Sequence, residues 1–138
     1  GKVYRYCLRL GTVPDVFARK YQYRVEEPLD LDAMARAAEL LCGRHDYRSF
    51  CANKRCKKST VRTVTAIGLA RHGDELALTF RGEGFLYNMV RILTGTLLEV
   101  GLGKRRAEDM PTVLAARDRA AAGFTAPAQG LTLMEVIY

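Results

Sequence analysis

The sequence has no apolar run long enough to cross a membrane and too few cysteines for a disulfide framework. Its longest apolar stretch, from Leu86 to Val100, is interrupted by Asn88, Arg91 and Glu99, whereas a membrane-spanning helix needs about 18–20 apolar residues. Four cysteines in 138 residues are far fewer than disulfide-stapled domains carry. We therefore expect reduced thiols and a cytoplasmic protein, which excludes the transmembrane and disulfide-rich secreted classes.

Acidic residues are also fewer than basic residues. Lys and Arg total 22 against 15 Asp and Glu, which gives a formal net charge of +7. A basic surface of this size is typical of proteins that bind nucleic acid or an anionic membrane, although basic proteins with neither partner also exist. The apolar fraction of 49% and the charged fraction of 27% predict an ordinary globular domain. The chain starts at Gly1, directly in a strand-like segment, so we expect a piece of something longer.

The order of apolar patterns predicts an α+β fold for residues 1–138, as a single domain. Alternating apolar residues predict strands at 3–10, 21–26, 60–71, 75–81 and 131–138. Helical spacing predicts helices at 31–42, 86–100 and 109–119, with 44–59 as a loop. In the last strand the apolar side shifts between Leu133 and Val136. Because strands follow one another through short turns, the pattern favours a mainly antiparallel sheet covered by helices.

A basic run lies in the predicted loop. It consists of Lys54, Arg55, Lys57, Lys58 and Arg62, five cations within nine residues. Such a run either forms a solvated surface or contacts phosphate groups. The sequence leaves both interpretations open.

Arg91 lies between Val90 and Ile92 in the otherwise apolar pattern of the second helix. Burying a guanidinium is costly unless it meets a carboxylate or a phosphate. Two interpretations remain at this point. Arg91 either extends its stem to solvent from the polar side of the helix or serves as the cation of a functional site.

Cysteine and histidine residues around position 45 have spacings that zinc ligands adopt. They are Cys42, His45, Cys51 and Cys56. The intervening segment is short for a zinc loop and Cys42 falls on the apolar side of its helix, so we predict separate thiols and no metal site. His45 and Asp46 are adjacent, but neighbouring side chains diverge in most backbones. We expect Asp46 to cap a turn rather than to act as an acid or base.

Five blocks of the sequence resemble one family, the TruA-type tRNA pseudouridine synthases. They are KVYRY at 2–6, HDYRSF at 45–50, GFLYNMVR at 84–91, GLGK at 101–104 and TAPAQGL at 125–131. The blocks occur in the family's order, and the resemblance covers essentially the whole chain, from Lys2 to Tyr138. The chain resembles the C-terminal half of such an enzyme.

The resemblance implies a two-half α+β enzyme whose sheets join into one. It implies an enzyme that isomerises uridine to pseudouridine in the tRNA anticodon arm without a cofactor, working as a homodimer. By the same resemblance, Tyr4 stacks against the target uracil, Arg91 pairs with the catalytic aspartate, and Phe85 and Leu86 line the pocket. The phosphate contacts of the tRNA would fall to the basic run, namely Lys54, Arg55, Lys57 and Lys58.

The sequence departs from the family at one decisive point. The family's essential aspartate lies in an Arg-Thr-Asp-Ala-Gly motif of the N-terminal half, and this sequence contains no such motif. Asp46 belongs to a different block and is not a substitute. We therefore expect the chain to be inactive without the N-terminal half. The alternatives are a stand-alone RNA-binding module that uses the same basic surface and, less favoured, a zinc module.

Overall fold

A computed structural model describes residues 1–11, 21–53 and 59–137 of the chain. The strands are β1 (Lys2–Leu10), β2 (Tyr23–Val25), β3 (Gly43–Asp46), β4 (Val61–His72), β5 (Glu75–Gly82) and β6 (Leu131–Val136). The helices are α1 (Leu31–Leu41), α2 (Met89–Gly101) and α3 (Met110–Ala116). Within this part of the chain, no helix is long and apolar enough to cross a membrane.

One mixed sheet organises the fold. Its strand order is β2-β1-β5-β4-β3, and β6 also pairs with β1. All pairings are antiparallel except the short parallel pairing of β1 with β2. The predicted α+β class with a mainly antiparallel sheet is confirmed.

The apolar core lies between one face of this sheet and the helices. Alternation along β1 turns Tyr6 and Leu8 towards the helices, where both are fully buried, opposite Leu78 and Leu76 of β5. Helix α1 begins where predicted, because the Asp30 carboxylate accepts a hydrogen bond from the Ala33 N–H at 3.0 Å. The sheet and the helices thus share one hydrophobic core.

The second and third helices are shorter than the sequence predicts. Helix α2 begins at Met89, not at Leu86, because Asn88 has a left-handed backbone with φ of 58°. Helix α3 ends at Ala116, before the predicted Arg119, because Arg117 is also left-handed, with φ of 49°. Left-handed residues cannot continue an α-helix. Apolar spacing alone does not show these local backbone changes.

The predicted loop 44–59 contains ordered structure at its start. Residues Gly43–Asp46 form β3 on β4, and Arg48–Phe50 form a short 3-10 turn with Phe50 fully buried. The strand is short and polar, so no alternation marks it. The expectation of an unbroken loop was wrong there.

The predicted shift in the last strand is confirmed by a β-bulge. Leu133 pairs with Tyr4 while Glu135 pairs with Val3, so β6 has one extra residue, Met134. The bulge places Val136, opposite Lys2, on the same side of the sheet as Leu133. The strand ends at Val136, and Tyr138 lies outside the described residues.

Candidate active site

Arg91 is held in place by two neutral acceptors. Its Nε donates to the carbonyl of Ala126 at 2.7 Å, and its Nη1 donates to Oδ1 of Asn88 at 3.2 Å. In the described part of the chain, no carboxylate forms an ion pair with it. The guanidinium is therefore oriented but keeps its charge uncompensated.

The segment that holds Arg91 runs along helix α2. We call residues 123–126 the clasp. Gly123 N–H donates to Thr96 Oγ1 at 2.9 Å, Phe124 N–H donates to Glu99 Oε2 at 3.0 Å, and Ala126 N–H donates to the carbonyl of Arg91 at 3.1 Å. The clasp lies so close to the helix that a Cβ at Gly95 would overlap the carbonyl oxygen of Phe124. A glycine is required at this crossing.

Strand β1 reaches the same place through Tyr6. The Tyr6 hydroxyl donates to the carbonyl of Pro127 at 2.5 Å, one residue beyond the clasp. Its ring lies against Gly130, where a Cβ would be 2.7 Å from two ring carbons. Burial raises the pKa of Tyr6 well above its ordinary range, so the hydroxyl stays protonated and able to donate. Strand β1 and helix α2 are thus joined through adjacent carbonyls.

Tyr4 and Phe85 form an aromatic corner. Their ring centroids are 5.3 Å apart and the rings are nearly perpendicular, at 89°, a preferred edge-to-face geometry. Tyr4 lies two residues from Tyr6 on the same side of β1, and its ring is partly buried. Leu86 packs into the core beside Phe85 and is 8% exposed. Tyr4 and Phe85, two predicted site residues far apart in the sequence, are therefore brought together.

The basic run falls mostly outside the described residues. Lys54, Arg55, Lys57 and Lys58 all lie in the interval 54–58. Arg62 is described, and its Nη1 donates to the carbonyls of Ser59 and Val61, both at 2.7 Å. This arginine thus folds back on its own strand.

Asp46 is bound in a structural network. Its carboxylate accepts from Thr60 Oγ1 at 2.5 Å and from Arg48 N–H at 3.1 Å, and pairs with Arg117 Nε at 2.9 Å. Burial by itself would raise the pKa of Asp46, but these hydrogen bonds and the Arg117 charge outweigh it and hold the pKa below its ordinary value. The turn bond to Arg48 is the capping role that the sequence predicts.

The cysteine and histidine cluster forms local contacts. Cys42 Sγ donates to the carbonyl of Ala38 at 3.3 Å, and His45 Nε2 lies 2.9 Å from the carbonyl of Cys42. Among residues 1–11, 21–53 and 59–137, no group of three potential metal ligands is present. Cys56 lies outside those ranges.

Comparison with known proteins decides the family. Residues 37–138 match the family described as tRNA pseudouridine synthase. The chain belongs to the tRNA pseudouridine synthase family. It is 53% identical over 137 residues to tRNA pseudouridine synthase A of Brevibacillus brevis (99% of this chain, 56% of that protein). It is 55% identical over 130 residues to tRNA pseudouridine synthase A of Halalkalibacterium halodurans (94% and 49%).

The chain spans about half the length of the curated relatives it matches. The alignment to tRNA pseudouridine synthase A of a Geobacillus strain, at 48% identity, also covers the whole chain but 56% of that protein. The matched region is the C-terminal half of these relatives, as the sequence blocks predict.

Two features of this tRNA pseudouridine synthase half were missed from sequence. One is the side chain of Asn88, and the other is the carbonyl of Ala126, which together hold Arg91. Both lie inside blocks that carry the family resemblance, but no spacing argument connects positions 35 residues apart. The glycine within the apolar helix, Gly95, was the one sequence signal of a close crossing.

Proposed function

We propose that the complete protein isomerises uridine to pseudouridine in the anticodon arm of tRNA, with this chain supplying the pocket wall and the cation. The observation that carries the proposal is Arg91, a partly buried guanidinium with fixed orientation and no carboxylate partner in the described ranges. A cation held in this way suits an incoming carboxylate. The missing N-terminal half supplies that aspartate in this proposal.

The roles of the other residues follow from their positions. The target nucleotide leaves the base stack and enters a pocket, where Tyr4 stacks on the uracil while Phe85 and Leu86 support the wall. Arg91 keeps the aspartate ionised and orients its carboxylate. The aspartate attacks the nucleotide, and the glycosidic bond between N1 of the uracil and C1′ of the ribose breaks. The uracil then turns and its C5 bonds to C1′ as the aspartate is released. C5 loses its proton and N1 gains one, so the product is an isomer of uridine. No cofactor takes part.

Strand β6 offers a place for the N-terminal half. Within the described residues its outer edge has no strand partner, and Leu133, Met134 and Val136 are 49%, 50% and 38% exposed. An exposed apolar edge strand readily accepts another strand. We place the N-terminal half here, so that residues 1–138 form one domain of a joined sheet. The complete protein would act in the cytoplasm as a homodimer.

Tritium release tests the proposal. When C5 of the uracil bonds to the ribose, it loses its hydrogen, so tRNA labelled with tritium at C5 of uridine releases the label. We expect release by the complete protein, none by residues 1–138 alone, and recovery when the N-terminal half is added in trans. The Asp46→Asn variant of the complete protein should remain active.

Two outcomes would overturn the proposal. Binding of tRNA by the complete protein without release would favour the stand-alone RNA-binding module. Release by residues 1–138 alone, abolished by Asp46→Asn, would place the nucleophile in this half.

The basic run is proposed to contact tRNA phosphates. Each phosphate neutralised contributes roughly 0.7–0.9 to the slope of log K against log salt. Changing Lys54, Arg55, Lys57 and Lys58 to Gln should weaken binding and flatten that slope. Arg36→Gln, which removes a cation that pairs with Glu39 on helix α1, is the control and should leave the slope unchanged. An unchanged slope in the quadruple variant would make the run a solvated surface.

A further inference from the structure

Asn88 occupies the position where a helix is usually capped, but it does not cap helix α2. An N-cap residue normally has an extended backbone, and its side chain accepts from the N–H groups of the first turn. Asn88 instead has φ of 58° and ψ of 11°, and its side chain makes no capping bond. Its Oδ1 accepts from Arg91 Nη1 at 3.2 Å.

The left-handed backbone of Asn88 is an uncommon choice. Only two non-glycine residues in the described ranges have a positive φ, Asn88 and Arg117. A residue held in a sparsely populated conformation at a candidate site points to a role in that site. Here the conformation turns the side-chain amide away from the helix N–H groups and towards a guanidinium one turn along the helix.

The two contacts on Arg91 use two of its N–H donors and leave the others free for a ligand. A guanidinium has five N–H groups in a rigid plane. One N–H is used by the carbonyl of Ala126 and one by Asn88, so three of the four N–H groups on Nη1 and Nη2 remain for an anion. The carbonyl of Ala126 fixes the guanidinium at Nε, and the side chain of Asn88 fixes it at Nη1. With both contacts, rotation about the last side-chain bonds is restrained.

We propose that Asn88 is a positioning residue for the isomerisation, because it fixes the plane of the Arg91 guanidinium so that its free fork meets the catalytic carboxylate. The inference rests on the proposed function. A neutral amide is suited to this task, because its oxygen orients the guanidinium without cancelling its charge. A carboxylate at position 88 would compete with the catalytic aspartate.

Two substitutions in the complete protein test the proposal. Asn88→Gly removes the side chain at a backbone angle that glycine adopts freely, so folding should be unimpaired. We expect kcat to fall about tenfold and KM to change less than twofold, since loss of positioning acts on the chemical step. Asn88→Asp keeps the size of the side chain but adds charge, and we expect a larger fall of kcat, about 100-fold, with an unchanged or higher melting temperature.

Arg117→Gly is the matched control. It replaces the other left-handed residue, which pairs with Asp46 away from the clasp, and it should leave kcat unchanged. An unchanged kcat in Asn88→Gly would overturn the proposal, as would Asn88→Asp turning over faster than Asn88→Gly. A parallel loss of stability and of activity would also overturn it, because it would show a purely structural role. No tritium release by the wild-type protein would instead reject the proposed function itself.

Discussion

Arg91 and Arg105 bind the same connecting segment but differ in what their charge meets. Arg105 Nη1 donates to the carbonyl of Ala121 at 2.6 Å, and its Nε pairs with Glu99 at 3.5 Å. Arg91 likewise donates to a carbonyl, that of Ala126 at 2.7 Å, but its second acceptor is the neutral amide of Asn88. Within the described residues, Arg105 is neutralised by a carboxylate, whereas Arg91 is only oriented.

We propose that this difference distinguishes a structural cation, Arg105, from a cation that takes part in the reaction, Arg91. The Glu99 carboxylate accepts from the clasp and from Arg105 together, so its charge and its hydrogen-bonding capacity are used locally. At Arg91 two neutral acceptors orient the side chain, and no carboxylate of the described ranges neutralises its charge. An oriented charge in a low-dielectric pocket stabilises an ionic partner far more than a mobile one in water does.

The largest expected effect is on turnover, from Arg91→Met in the complete protein. We expect kcat to fall by about 10²–10³-fold, since such losses follow removal of one charge-stabilising donor. In residues 1–138 alone, where no carboxylate of the described ranges pairs with Arg91, the free energy of unfolding should fall by only about 1–2 kcal/mol, because the buried carbonyl of Ala126 loses its donor. Tritium release and urea unfolding measure the two quantities.

Arg105→Met is the matched substitution for this test. It leaves the half-buried carboxylate of Glu99 without its cation, so we expect a loss of about 1–3 kcal/mol in unfolding free energy. Turnover per folded molecule should be unchanged. If Arg105→Met lowered kcat as much as Arg91→Met does, the distinction between the two arginines would be wrong.

A smaller effect on turnover is expected from Gly95→Ala, which presses on the clasp that holds Arg91. The new methyl group would overlap the carbonyl oxygen of Phe124, and backbone cannot move aside as a flexible side chain can. We expect a loss of about 2–3 kcal/mol in unfolding free energy, in the range of overpacked cores, together with reduced kcat. Gly68→Ala has open space at its Cβ and should be nearly neutral by the same denaturation assay.

The smallest effect is expected at another ion pair, the one between Asp46 and Arg117. The pKa of Asp46 is lowered in the folded protein, so its contribution to stability is present above its unfolded pKa of about 3.9 and is lost as pH falls through the folded value. Asp46→Asn should therefore be less stable than the wild type at pH 7 but converge with it in acid. Urea titrations from pH 7 to pH 2 measure this, and parallel curves over the whole range would contradict it.

Much of the fold could be predicted because it depends on periodic patterns. The alternation in β1, the cap at Asp30 and the shift after Leu133 each express a local rule, and each is found in the structure. The start of helix α2 and the short strand β3 were missed, because a left-handed Asn88 and a polar pairing strand leave no period to detect.

Only part of the candidate site could be predicted from the sequence. Arg91 stands out because a charge in an apolar helix needs a reason. The acceptors that orient it could not be found in this way: one is a backbone carbonyl, which every residue has, and the other works only because of its backbone angle. Long-range contacts of this kind arise from the chain path and not from composition.

The apolar edge of β6 also has a consequence for the chain in solution. Its exposed residues Leu133, Met134 and Val136 form an apolar edge through which copies of the chain can associate and aggregate. The net charge of +7 opposes this by mutual repulsion, and added salt screens that repulsion. The separate chain should therefore lose solubility as ionic strength rises, and it is best purified and stored in dilute buffer.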